Sequence, residues 1–150
     1  MTIKKTTPTT FIQKRDSLVK TIKQDWERIY SNNVFPSGMQ QKFDLNAVYK
    51  SIIKSETELV KAKVTIQAIN MGLKKLSELP EDCVFPSIFT LQQIKERIIK
   101  LERIPTKKDE DENIALTRKF VESELIKLNA EKEKIEMELE EYNDNTNFEE

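Results

Sequence analysis

The chain has 150 residues, 37% of them hydrophobic and 34% charged, with a formal net charge of −1 and no histidine. That length suits a single domain with a real core, while the low apolar fraction favours slender helical architecture over a thick globule. The absence of histidine removes the usual general base, the Ser-His and Cys-His nucleophile pairs and the commonest metal ligand.

Only two glycines and five prolines interrupt a chain rich in Lys, Glu, Leu and Ile. The expected fold is all-α, an elongated antiparallel helical bundle of about four helices, two of them long and coiled-coil-like. The first helix is expected over about 8–31, with Thr7 as its cap and Pro8 in its first turn, where a missing N–H is harmless. Phe11, Leu18, Ile22, Trp26 and Ile29 make its apolar stripe. The segment from Ser31 to Asp44 then breaks the pattern.

A second helix is expected over about 44–77, capped by Asp44 with Phe43 as a hydrophobic staple. Leu45, Val48, Ile52, Ser55, Leu59, Ala62, Ile66, Ile69, Leu73 and Leu76 hold an alternating spacing of three and four, and helix 4 is its expected main partner within the chain. Tyr49, Ile53, Val60 and Val64 widen that stripe, so the helix should touch more than one neighbour. These four residues are the candidate interaction surface. Gly72 either stays helical or ends the helix early.

The third helix is expected over about 87–104, capped by Ser87, with Ile88, Leu91, Ile94, Ile98 and Leu101 on its buried edge. A fourth follows over about 107–142, with Thr106 and Asp109 in capping-box spacing and the acids from Asp109 to Glu112 at its positive end. Val121, Leu125, Leu128, Lys132, Ile135, Leu139 and Tyr142 carry its stripe in alternating spacings of four and three, and 143–150 read as a frayed acidic tail. The tetrapeptide Val-Phe-Pro-Ser occurs at Val34 and again at Val84. Both copies are read as places where helices begin, the second more strongly than the first, with a duplicated module relating helices 1–2 to 3–4 as the alternative.

Charge is unevenly spread. Residues 1–108 hold 20 Lys/Arg against 11 Asp/Glu, and residues 109–150 hold 5 against 15. Such a chain either folds its acidic arm onto its basic body or offers two faces to different partners. Lys95, Arg97, Lys100, Arg103, Lys107 and Lys108 form a candidate basic face along helix 3 and its exit, with further lysines on helix 1. Nucleic acid is the alternative partner on that ground, although the pI of about 5.8 and the lack of a reading motif weigh against it.

Catalytic chemistry has little support. Neither Gly38 nor Gly72 belongs to a phosphate-cradling loop, Cys83 follows two acids that disfavour a thiolate, and the acidic run lacks the spacing of a calcium loop. No enzyme activity, cofactor or metal is expected. The longest uncharged run, Ile29 to Gln41, is thirteen residues and broken by Pro36 and Gly38, too short to span a bilayer. With no apolar run behind Lys4 and Lys5 and a single cysteine, a cytoplasmic protein without a membrane partner is expected.

Three stretches, Leu59 to Asn70, Ile88 to Lys108 and Leu125 to Thr146, resemble the septicolysin-like small helical proteins of bacteria and phages. The resemblance covers about half of the chain in heptad-like sequence. It implies a bundle of long helical hairpins with no catalytic residues to carry over, and no amphipathic insertion segment accompanies it. The expected function is therefore non-enzymatic protein–protein interaction, as a homodimer, adaptor or structural component. Nucleic-acid association and inhibition of a host protein by a phage-encoded protein are the alternatives.

Overall fold

The computed structural model describes residues 8–145, with four helices and a two-stranded ribbon. In chain order these are α1 (Pro8–Asn32), β1 (Val34–Pro36), α2 (Leu45–Asn70), a short 3₁₀ turn (Leu76–Glu78), α3 (Phe85–Glu102), β2 (Glu112–Ile114) and α4 (Arg118–Asn145). The fold is predominantly all-α, a helical bundle. At 1.5 Å per residue α4 is about 42 Å long and α3 about 27 Å. The Thr7 cap and residues 146–150 lie outside the described residues, and α4 stays helical through Asn145, past the frayed start expected at 143.

The first Val-Phe-Pro-Ser does not begin a helix. Val34 to Pro36 pairs antiparallel with β2 in the register Val34↔Ile114, Phe35↔Asn113 and Pro36↔Glu112. Ser37 N–H to Asp111 O (2.7 Å) and Ala115 N–H to Asn33 O (2.9 Å) extend the ladder at both ends. Pairing with β2 is the physical reason: the β-branched and aromatic residues accept an extended chain, proline is tolerated at a strand end where no ladder donor is needed, and the distant partner strand holds them there. The second copy does begin a helix, but earlier than expected. Phe85 is the first helical residue, Val84 is the cap, and Ser87 lies inside the first turn.

α2 ends at Asn70 instead of about 77, and Gly72 is the cause. Its φ of +82° is left-handed, its N–H bonds Ile69 O at 2.9 Å, and Leu73 N–H bonds Ala68 O at 3.0 Å. That pair of bonds is a Schellman motif, which satisfies the last carbonyls and terminates the helix. α4 starts eleven residues later than expected because 107–117 form the strand and its connections. Asp109 and Glu112 close a small loop, with Asp109 N–H bonded to the Glu112 carboxylate at 3.0 Å. The acids therefore do not cap α4. Thr117 does, accepting from Phe120 N–H at 3.2 Å. Asp44 caps α2 as expected, accepting from Asn46 and Ala47 N–H.

Successive helices run antiparallel. α2 packs most extensively on α1, next on α3, while α4 packs on α3. Helix 4 is thus not the main partner of α2. The core gathers at the ribbon end: Trp26, Ile29, Leu45, Tyr49, Ile52, Ile94, Leu101, Ile104, Leu116, Val121 and Leu128 form one buried cluster. Asn33, fully buried beside it, donates from Nδ2 to Pro105 O (2.6 Å) and Leu116 O (3.0 Å) and accepts Leu116 N–H (2.6 Å) on Oδ1. One amide thereby ties the end of α1 to the exit of α3 and the approach to α4.

Candidate binding cleft

Because α1 and α3 both lie on α2, they leave a cleft between them with α2 as its floor. The cleft has a volume of about 410 Å³. Val19, Ile22 and Trp26 come from α1, Glu56 and Leu59 from α2, and Gln93, Arg97, Ile99 and Lys100 from α3. Tyr30 Oη, donating to Lys100 O at 2.8 Å, bridges α1 and α3 near one end. Trp26 and Leu59 are buried in its depth, whereas Val19 and Ile99 are half exposed at 50% and 48% on its two lips. Lys23 on α1, Lys100 and the carboxylate of Glu96 on α3, and Arg103 just past the end of α3 complete the lining.

Glu56 is held by Arg97, whose Nε donates to Oε2 at 2.7 Å and whose Nη2 donates to the same oxygen. Their side chains are 4% and 13% exposed. Burial pushes the Glu56 carboxyl above its ordinary range, with Arg97 pulling against that shift. Tyr49 Oη donates to Glu124 Oε2 at 3.0 Å, and the Arg97 charge acts on the same hydroxyl. The Tyr49 hydroxyl is pushed upward, by burial first and then by the Glu124 charge, so it stays protonated as a donor. This chain of polar groups fastens α2 to α3 and α4 within the apolar interior.

The candidate interaction surface is not free. Tyr49 and Val64 are core residues, 4% and 8% exposed, and Ile53 packs against the core cluster while Val60 is half-buried. The stripe they share with Glu56 faces α3, as the Glu56–Arg97 pair and the Lys63–Phe89 contact at 6.0 Å show. It thus widens the helix for a neighbour in the same chain.

The candidate basic face is divided. Arg97 is engaged with Glu56, Lys95 lies 3.8 Å from Glu136 on α4, and Lys108 Nζ donates to Glu112 O at 3.0 Å. Lys100 and Arg103 line the cleft with no ion pair among the described residues, and Lys107 is exposed on the connection to β2. Lys95–Glu136 is the one ion pair between α3 and α4 among those residues, so the acidic arm does not blanket the basic body.

Three important residues escape sequence reasoning. Asn33 reads as one of two asparagines in a break, and Glu56 and Gln93 read as polar positions on solvated faces. The one available signal is register: Glu56 lies on the stripe of Tyr49, Ile53 and Val60, and Arg97 lies beside Ile94, Ile98 and Leu101, opposite charges inside facing apolar stripes. Among the described residues no helix is long and apolar enough to cross a membrane, and no cluster of acidic, Cys or His side chains suits a metal ion. Compared with known proteins, the chain matches no family model, no curated protein and no solved structure.

Proposed function

We propose that this chain is a non-enzymatic helical bundle that acts by protein–protein contact, receiving a helix of its partner in the cleft between α1 and α3. The observation that carries this reading is the pair of half-exposed lips, Val19 and Ile99, on either side of a cleft with buried Trp26 and Leu59 in its depth. A groove walled by two helices and floored by a third takes the apolar face of a helix, with anchors spaced three and four residues apart. Interaction energy in such a site concentrates in a few anchors that fill the apolar depth. Nucleic-acid binding has less support, because Arg97 and Lys95 of the basic face are already engaged by carboxylates.

Trp26 is the sole tryptophan and lies in the cleft, so its fluorescence reports occupancy directly. Synthetic amphipathic helical peptides with acidic, neutral and basic polar faces are titrated against the full chain. At least one should shift the Trp26 emission saturably, and V19S/I99S should weaken that peptide about tenfold. No response from any peptide refutes the reading.

A further inference from the structure

Resting on that reading, the charges around the cleft specify its occupant. We propose that the partner segment is an acidic amphipathic helix, with apolar side chains between Val19 and Ile99, carboxylates against Lys23, Lys100 and Arg103, and a polar side chain bonded to Gln93.

Four cations and two carboxylates line the cleft. Arg97 and Glu56 satisfy one another. That leaves Lys23, Lys100 and Arg103 against Glu96 alone, and none of those three cations makes an ion pair among the described residues. The chain's own acids do not fill this role, since α4 lies on α3 and reaches it through Lys95–Glu136. An excess of one sign around a partly desolvated groove selects the opposite sign in what enters it and speeds its arrival.

Gln93 supplies an independent observation. Its side chain is in the cleft lining, the residue is 4% exposed, and it makes no side-chain hydrogen bond among the described residues. Among the described residues every fully occluded side-chain nitrogen or oxygen has a partner, so the Gln93 amide is presented to the cleft and is not sealed behind it. An amide that reaches water and has no partner in the chain can bond a polar group of an occupant, which takes the place of that water. Gln93 is one helical turn from Arg97 on the same face of α3, and Lys100 follows on that face, so donors and cations run along one wall.

The size agrees. The α1 wall from Val19 to Trp26 extends about 10 Å and the opposite wall, α3 from Gln93 on to its C-cap Arg103, about 15 Å, two to three turns of an occupying helix. Amphipathic segments of that kind are short enough to be borne on a loop or a tail of a partner.

The test compares three synthetic peptides of about 20 residues, long enough to be helical. They share one apolar register, lack Trp and Tyr, and carry Glu, Gln or Lys at all other positions. Each is titrated against the full chain by Trp26 fluorescence at low and moderate salt. The Glu peptide should bind about tenfold tighter than the Lys peptide at low salt, with the gap narrowing as salt rises. K23E/R103E, at two exposed positions, should reverse the order, and Q93L should weaken the Glu peptide about fivefold. Circular dichroism confirms that each variant keeps its fold. Equal binding of the three peptides, or preference for the Lys peptide, overturns the acidic partner and leaves the cleft reading standing. A stable dimer in light scattering whose cleft admits no peptide would assign the site to a second copy and also overturn it. Silence from all three sinks the cleft reading itself.

Discussion

Replacing Arg97 by Met removes one half of a pair that is almost wholly inside the molecule. The Met side chain approximates the aliphatic stem of the arginine, so packing is largely kept and the change is electrostatic. What remains is a Glu56 carboxylate on a side chain 4% exposed, without the two guanidinium hydrogen bonds that now satisfy one of its oxygens. Breaking a buried pair from one side costs about 3–5 kcal/mol, a large fraction of the stability of a domain of this size. The cost should depend on pH. Burial already raises the Glu56 pKa, and loss of Arg97 removes the groups that hold it down. A carboxyl whose folded pKa exceeds its unfolded value near 4.5 contributes stability fully below that value, and the contribution is lost as pH rises through the folded pKa. R97M should therefore be least impaired near pH 4.5 and most impaired at about pH 7. The E56L/R97M double variant leaves neither charge behind and should lie within about 1–2 kcal/mol of the parent. Urea unfolding followed by circular dichroism at both pH values gives the full cycle. A loss below about 1 kcal/mol for R97M, unchanged between the two pH values, would show that water reaches the pair and would refute the reasoning.

Two further predictions concern the frame around the cleft. Asn33→Ala deletes three hydrogen bonds at a fully buried position and strands two carbonyls and an N–H, a loss of about 3 kcal/mol in urea unfolding; a loss under 1 kcal/mol would mean water replaces the amide. Gly72→Ala forces a left-handed φ of +82° on an L-residue although its Cβ would meet nothing within 4 Å, so about 1 kcal/mol should be lost through backbone conformation alone, and Gly72→Asn should lose less.

Periodicity made the helices legible because each buries a stripe: Trp26 and Ile29, Leu45 and Ile52, and Ile94 and Leu101 all lie in the core their spacing implies. Helix ends were less legible where a local reading had two outcomes. Gly72 fits both a helical interior and a left-handed terminus, and only the bonds to Ala68 and Ile69 decide between them. The ribbon was illegible for a different reason. Three-residue strands at Val34 and Glu112 are stabilised by one another across the chain, so neither carries a local signal strong enough to stand alone. The cleft follows the same logic. Lys100, Arg103 and Arg97 look alike as members of a basic face, and only the position of Glu56 on the opposing helix neutralises one and leaves the others available.

The ribbon joins residues far apart in sequence, and its place at one end of the bundle gives the molecule a polarity. Asn33, Pro105 and Leu116 meet there, whereas the connection between α2 and α3, residues 71–84, turns at the opposite end. The two helical hairpins therefore resemble the arms of a tweezer joined at the ribbon, with the peptide link between them at the tips. Cutting that link would not release either arm, because the strands, the Asn33 amide and the Glu56–Arg97 pair all hold across the cut. A nicked chain should thus remain one particle, and its two pieces, made separately, should find each other.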